Sequence, residues 1–145
     1  IYTSADGEVI FKKYSAINEM ASSASQVAEV MTRLANCPTV VFDRDHVVAV
    51  AGVQKKEFSE RRVSRALEEY LESRKNYIRS SSAEAKVFPV EGVDQAALAC
   101  SPILASGDVT GAVAFLAPND SAVANEVQQN LIQAAAQFLG KQIED

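Results

Sequence analysis

The chain has 145 residues, of which 48% are hydrophobic and 23% are charged, and these values argue against a disordered segment and against a disulfide-stapled scaffold. Its formal net charge of −5 repels phosphate backbones, so this chain by itself is a poor candidate for binding DNA. It contains no apolar run of about 18 residues and no signal peptide, so we expect a cytoplasmic protein with no membrane partner.

The N-terminal stretch IYTSADGEVIFKKYS predicts a β-hairpin. Strand-forming residues at 1–3 and 9–11 flank Asp6-Gly7, a pair that is typical of tight hairpin turns. Because the first strand is already under way at Ile1, we expect a piece of a longer protein. We therefore predict two units, the hairpin at 1–14 and one domain at 15–145.

A long helix is predicted after the hairpin, with Ser15 as its N-cap and an end before Pro38. Its apolar residues recur at steps of three and four: Ile17, Met20, Ala21, Ala24, Ala28, Met31, Leu34 and Ala35. The following stretch TVVFDRDHVVAVAG predicts two strands that turn at residues 43–46.

A second helix is predicted from Ser59, with one apolar face made by Val63, Ala66, Leu67, Tyr70 and Leu71. Three strands follow in the prediction: AKVFPV, QAALACSPILA and VTGAVAFLA, with a turn at residues 106–108 between the last two. The chain closes with a long helix capped by Asn119, Asp120 or Ser121. Its apolar stripe is Val123, Val127, Leu131, Ala134, Ala135, Phe138 and Leu139.

The order of these elements predicts the fold class. Helix, two strands, helix, three strands and helix show no regular alternation of strand and helix, which disfavours a parallel sheet. The pattern predicts an α+β domain, with an antiparallel sheet and helices packed on one side.

Two stretches resemble a known family. SPILASGDVTGAVAFLAPND resembles the end of a GAF domain, and DGEVIFKKYSAINEM resembles the junction between an AbrB-type DNA-binding domain and a GAF domain in the stage V sporulation protein T family. The similarity covers the whole chain, including the DRDHVVAVAG hairpin. It implies a GAF-like domain preceded by the last hairpin of a swapped-hairpin AbrB-type domain.

The resemblance also implies a function. Members of this family are sporulation transcription regulators, activators or repressors, whose DNA contacts would come from basic residues outside this chain. The expected partners are therefore DNA, through that other segment, and further copies of the chain in a homodimer or homotetramer. The adjacent Lys12 and Lys13 are interpreted as solvated surface residues.

Catalytic and metal-binding chemistry is disfavoured by the sequence. His46 lies beside Asp43 and Asp45, but no Ser or Cys sits in a recognisable nucleophile elbow. The carboxylates lack the Gly and the distal Glu of a calcium loop, and residues 107–111 lack the Lys of a phosphate loop. Cys37 and Cys100, in no metal-type spacing, are expected to be reduced and buried. We predict no catalytic residue, no metal and no resident cofactor.

A ligand site is the first of two functional hypotheses. GAF domains often hold a small molecule between the sheet and a covering segment, and the polar stretch 77–82 is a candidate lid. The candidate ligand-binding residues are Phe42, Val50, Arg79, Phe88, Leu98, Cys100 and Phe115. The apolar ones also fit a plain hydrophobic core, which is the commoner role for such residues. No cyclic-nucleotide or chromophore motif is present, so the ligand is unspecified.

Assembly is the second hypothesis. The two long helices carry more apolar surface than one small sheet needs, and we predict an oligomer interface at Met20, Ala24, Met31, Val127, Leu131 and Phe138. Packing within one chain fits these stripes as well. The sequence thus favours a regulatory domain that couples a small-molecule or partner signal to DNA binding, with a pure oligomerisation module as the alternative.

Overall fold

A computed structural model describes residues 2–3, 9–10 and 16–144. In the N-terminal hairpin, β1 (Tyr2–Thr3) pairs antiparallel with β2 (Val9–Ile10), and Tyr2 lies opposite Ile10. Both strands lie within the predicted runs at 1–3 and 9–11. The predicted Asp6-Gly7 turn, the surface lysines at 12 and 13 and the cap at Ser15 lie outside the described residues.

The core of the domain is a five-stranded antiparallel sheet, which confirms the α+β class. Its strands follow the order β4-β3-β7-β6-β5. Their bounds are Thr39–Asp43 for β3, Val47–Ala51 for β4, Tyr77–Ile78 for β5, Ala97–Ala105 for β6 and Asp108–Leu116 for β7.

Two hairpins that the sequence predicts form the body of the sheet. β3 and β4 turn at residues 44–46, and β6 and β7 turn at Ser106 and Gly107. Both of these turn residues have positive φ, 51° at Ser106 and 84° at Gly107, as a type I′ hairpin turn requires. The turn chemistry therefore sets the register of the two longest strands.

Helices cover both faces of the sheet. α1 (Ala16–Glu19), α2 (Ala21–Ala35) and α5 (Glu126–Glu144) lie on one face, and we call the core beneath them the helix-side layer. α3 (Lys55–Phe58) and α4 (Arg65–Ser73) belong to a second core on the other face, the α4-side layer. The long helices are thus on one side, as predicted, while the two short ones lie opposite them.

The buried residues of each strand divide between these two layers. Val41, Leu98 and Phe115 enter the helix-side layer with Ile132 and Leu139 of α5. Their strand neighbours enter the α4-side layer, where the buried residues include Val40, Phe42, Phe58, Leu67, Leu71, Cys100 and Leu116. Since both faces are covered, β6 and β7 are buried along nearly their whole length.

Two predicted helix starts are wrong, and one predicted helix is divided. The first helix is interrupted at Met20, so α1 and α2 are separate. Ser59 ends α3, whereas α4 begins after Ser64, whose Oγ accepts a hydrogen bond from the Leu67 N–H at 3.1 Å. α5 begins after Asn125 and not after residues 119–121. Competing Ser and Asn residues upstream carry the same capping chemistry, which is why the sequence pattern misplaced these ends.

The cap of α5 is a reciprocal pair. Asn125 Oδ1 accepts from the Gln128 backbone N–H at 2.7 Å, and Gln128 Oε1 accepts from the Asn125 N–H at 3.0 Å. This is a capping box, which satisfies two N–H groups that the first helical turn leaves unpaired.

The predicted strand AKVFPV is also wrong. In this segment only Val90 forms a β-bridge, to Val63, which the prediction had placed in a helix. The strand next to β6 is instead β5, whose two residues pair with Cys100 and Ala99. Within the described residues no strand lies beside the remainder of the outer edge of β6.

A helix that crosses a bilayer needs about 20 predominantly apolar residues. No helix in the described part of the chain combines that length with that apolar character.

Close packing of α5 on β6 predicts the effect of a small substitution. A Cβ at Gly140 would collide with the backbone carbonyl oxygen of Leu104. Although Ala favours a helix over Gly by about 1 kcal/mol, we expect Gly140→Ala to lower the free energy of unfolding by about 1–3 kcal/mol through overpacking.

Urea denaturation measures this change. The control is Gln137→Ala, an exposed position of the same helix, for which we expect a change within about 0.5 kcal/mol. A Gly140→Ala protein more stable than the parent would contradict the close contact between α5 and β6.

Candidate ligand and assembly surfaces

The sheet separates the predicted ligand-binding residues into two groups. Phe42, Val50 and Cys100 belong to the α4-side layer. Leu98 and Phe115 belong to the helix-side layer; Leu98 and Cys100, two residues apart on β6, lie on opposite faces because the strand carries a register shift between Ala97 and Ala99. These five residues therefore do not line one common cavity.

Phe88 lies apart from both groups. It lines a polar pocket of about 320 Å³ at the surface, together with Lys86, Asp94 and Gln95. The Lys86 ammonium forms an ion pair with Asp120 at 3.0 Å in this pocket, and Gln95 donates to the Ala117 carbonyl at 3.1 Å. Lys86, Asp120 and Gln95 therefore already have partners within the protein.

Arg79 is the one charged residue among the candidates, and it is 1% exposed. Its Nη1 donates to the carbonyl oxygens of Glu84 at 3.1 Å and Ala85 at 3.4 Å, and its Nη2 donates to that of Ser82 at 3.1 Å. No carboxylate of the described residues forms an ion pair with this guanidinium. A buried positive charge is thus held by neutral carbonyl groups.

Tyr77 lies two residues before Arg79, at the outer strand of the sheet, and is 6% exposed. Its ring packs edge-on against Tyr70, with centroids 5.4 Å apart. Burial raises the pKa of the Tyr77 phenol, and the nearby Arg79 guanidinium opposes that rise. Nevertheless, among the described residues no partner meets the geometry of a hydrogen bond to the buried hydroxyl.

Residues 80–86, which we call the covering segment, supply the three carbonyl groups that hold Arg79. Every side chain of this segment is exposed. Ser80 Oγ donates to Glu84 Oε1 at 2.6 Å, and this hydrogen bond lowers the pKa of the Glu84 carboxyl. The predicted lid at 77–82 is therefore divided: its first two residues form β5, and the covering segment begins after Arg79.

The DRDH turn has a structural explanation. Asp43 Oδ1 accepts the backbone N–H groups of Asp45 and His46, both at 2.7 Å, which closes the turn between β3 and β4. His46 Nδ1 is 3.9 Å from the same oxygen. One imidazole nitrogen of His46 and one carboxylate oxygen each of Asp43 and Asp45 lie within 4.8 Å of one another. The Asp43 carboxylate thus stabilises the turn by accepting two backbone hydrogen bonds.

Both cysteines are buried and unpaired, as predicted. Burial raises the pKa of Cys100 to about 12. It raises that of Cys37 to about 11, where a hydrogen bond with Gln128 partly opposes the rise. Both groups are neutral thiols at physiological pH, so neither is an activated nucleophile.

An apolar groove lies on the outer side of α2 and α5. It has a volume of about 520 Å³ and no charged lining residue. Ser23, Gln26, Val27, Val30, Met31, Ala134, Ala135, Phe138 and Gln142 line it. Large apolar side chains on these two helices are exposed: Val30 by 43%, Leu34 by 57%, Val127 by 55% and Phe138 by 51%.

The predicted interface residues are distributed unevenly over this surface. Met31 and Phe138 line the groove, and Val127 is exposed. Met20 and Leu131 are half-buried, and Ala24 is fully buried beneath α2, so it is not available to a second chain. Sequence reasoning missed Val30 and assigned Leu34 to the core-facing stripe, since the 3.6-residue period alone does not locate the boundary between a buried and an exposed apolar position.

Comparison with known proteins agrees with this architecture. Residues 19–144 match the family described as stage V sporulation protein T C-terminal, transcription factor. The chain is 32% identical over 146 residues to stage V sporulation protein T of Bacillus subtilis (strain 168), an alignment that covers 99% of this chain and 80% of the relative.

Two solved structures show the GAF fold. The GAF domain/HD domain protein of Geobacter sulfurreducens superposes with a TM-score of 0.62 at 13% identity, covering 92% of this chain and 95% of that one. The cofactor binding GAF domain of the nutrient sensor CodY from Clostridium difficile gives 0.55 at 12% identity, with 88% and 92% covered. The GAF description from the sequence is confirmed.

Thiol reactivity tests the buried state of the two cysteines. With a pKa of about 11 for Cys37 and about 12 for Cys100, at most about one thiol in a thousand is ionised at pH 8. We expect neither to react with an aromatic disulfide reagent in the folded chain, and both to react within seconds in denaturant. The denatured sample is the control, and rapid labelling of the folded chain would contradict the burial.

Proposed function

The chain belongs to the stage V sporulation protein T C-terminal family of transcription factors, and from this premise we propose that it is the regulatory and oligomerisation domain of a sporulation regulator. The observation that carries the proposal is the 32% identity over 99% of the chain. The family supports a regulatory role and not a catalytic one. A GAF fold with exposed apolar helix faces is compatible with both parts of the proposal.

DNA binding is assigned to a segment outside this chain. The formal net charge of −5 opposes contact with phosphate groups, which dominate protein affinity for DNA. We propose that residues 1–14 are the last hairpin of an AbrB-type DNA-binding domain and that residues 15–145 form the regulatory domain. The pairing of β1 with β2 supports the first part of this division.

Coupling between the two units depends on the junction. Only residues 11–15, FKKYS, separate β2 from α1, and they include neither Gly nor Pro. A short junction without these residues restricts the independent rotation of the flanking units. A signal that favours one arrangement of the GAF domains would then change the spacing of the DNA-binding units, by differential binding to two states.

The groove between α2 and α5 supports self-association as the second half of the proposal. Its lining is apolar and uncharged, and exposed apolar residues flank it on both helices. Surfaces of this kind mark interaction sites in soluble domains. The alternative proposal is that assembly is the only role of the domain, with no ligand; it is favoured by the same groove.

Gel shifts on duplex DNA test whether the DNA contacts lie outside this chain. At one fixed, moderate salt concentration, we expect the full-length protein to bind its operator fragment and the 145-residue chain to bind no duplex specifically. The control is a non-operator duplex of the same length. Specific binding of the operator by the chain alone would contradict the assignment of DNA contacts to another segment.

Light scattering after size exclusion tests whether the chain self-associates through the groove. We expect the chain to be a dimer or larger at tens of micromolar, and Phe138→Glu to reduce it to a monomer, because a charge would be buried at the apolar contact. The matched control is Leu104→Glu, an exposed apolar residue on β6 outside the groove, which we expect to leave the mass unchanged. A monomeric parent chain would refute self-association.

A further inference from the structure

The buried charge of Arg79 is the feature that the fold leaves unexplained. Buried charges in proteins are normally paired with an opposite charge, because neutral partners compensate only part of the lost hydration. Arg79 is 1% exposed and is held by the carbonyl oxygens of Ser82, Glu84 and Ala85 alone. The nearest acidic side chain in the covering segment, Glu84, directs its carboxylate to Ser80 instead. Within the described residues, Glu84 is thus near enough to act on the guanidinium electrostatically but forms no ion pair with it.

A second polar group without a partner lies beside this charge. The Tyr77 hydroxyl is buried beside the Arg79 guanidinium, which opposes the rise of its pKa, yet within the described residues no group meets the full geometry of a hydrogen bond to it. Buried polar groups without partners are rare in native structures, and they mark either strain or a missing ligand. Two donors, a guanidinium and a phenol, are thus available on the same edge of the α4-side layer.

The cover over these donors is weakly anchored. All seven side chains of the covering segment are exposed, and none belongs to either core layer. Its attachments are the carbonyl hydrogen bonds to Arg79, the Lys86–Asp120 ion pair and the backbone hydrogen bond from Ala97 N–H to the Val87 carbonyl just beyond it. Segments with few buried contacts open at low free-energy cost.

We propose that Arg79 and Tyr77 anchor a site for a small monocarboxylate with an apolar body, beneath the covering segment. A carboxylate matches the planar fork of a guanidinium in a bidentate pair, and hydrogen bonds between ionised partners are about twice as strong as those to neutral carbonyls. The Tyr77 hydroxyl supplies a third donor. The carboxylate therefore displaces the carbonyl groups of the covering segment from the guanidinium.

Charge and surroundings select this class of ligand. One guanidinium cancels one negative charge, whereas a phosphate near −2 would leave excess charge next to apolar side chains. The side chains around Tyr77 in the α4-side layer are Tyr70, Leu71 and other apolar residues, which suit a hydrocarbon body. The inference rests on the proposed regulatory role and specifies its ligand: binding releases residues 80–86, which is the signal.

Titration calorimetry on the 145-residue chain tests the proposal. The probes are butyrate, isovalerate and hexanoate, each compared with its primary amide, and inorganic phosphate. We expect saturable binding of at least one carboxylate at millimolar concentration, and no binding of the amides or of phosphate. Binding of an amide as tight as that of its acid would show that charge is not recognised, and preferential binding of phosphate would refute the ligand class.

Variants assign any binding to this site. Arg79→Lys keeps the charge but loses the fork, and we expect affinity for the carboxylate to fall at least about tenfold. Tyr77→Phe removes a hydroxyl that makes no hydrogen bond in the fold, so the chain remains folded while affinity falls about fivefold. Thr110→Val removes a hydroxyl that donates to the Ile103 carbonyl at 3.0 Å near the β6–β7 turn, away from Tyr77 and Arg79; it is the control and keeps the parent affinity.

Each outcome decides the question. Absence of carboxylate binding by the parent chain, or an unchanged affinity in Tyr77→Phe, overturns the proposal; where Arg79→Lys does not fold, Tyr77→Phe alone decides. These measurements contain no DNA and do not depend on assembly. A failure here therefore leaves the gel-shift and light-scattering results as separate tests of the proposed function.

Discussion

The antiparallel pairing of β7 with both β3 and β6 is the constraint on which the rest of the structure depends. β7 lies in the middle of the sheet, and both of its faces are covered. At Gly111 it approaches β3 so closely that a Cβ would collide with the carbonyl oxygen of Phe42. Since side chains alternate between the faces of a strand, this one register determines which residues enter each layer.

The two layers differ in how they are closed. On the helix side, small residues such as Ala24, Ala28 and Ala135 are buried against the sheet, and bulkier residues of the same helices are left on the outside. On the α4 side, short helices and irregular segments close the core, and a charged side chain is buried at its edge. The apolar groove on α2 and α5 and the covering segment thus lie on opposite faces of the sheet. Any coupling between the groove and the covering segment must pass through the sheet.

The parts of the fold that follow from local chemistry were predictable from the sequence. The β3–β4 and β6–β7 hairpins combine β-branched runs with turn residues, and both are present. Strand β5 was missed because two residues carry no periodic pattern. The starts of α4 and α5 were misplaced because Ser59 and Ser64, or Asn119 and Asn125, offer equal caps, and tertiary packing selects between them.

The candidate site was predictable only in part, for a related reason. Arg79 stood out as a charge in a polar segment, but its burial and its hydrogen bonds to neutral carbonyl groups are properties of the folded chain. The sequence placed Leu98 and Cys100 in one candidate ligand site, but the two side chains enter different layers. The sequence alone does not show which face of the sheet each side chain takes. Residues two apart share a face only in a regular strand, and β6 carries a register shift between Ala97 and Ala99.

The shortness of β5 has a consequence for solubility. Beyond Cys100, β6 presents backbone groups that β5 does not cover, and open strand edges are templates for intermolecular sheet formation. Pro102 lies in this stretch and has no N–H to donate, which interrupts the ladder that an incoming strand would need. Pro102 therefore disfavours the addition of a further strand along this part of β6.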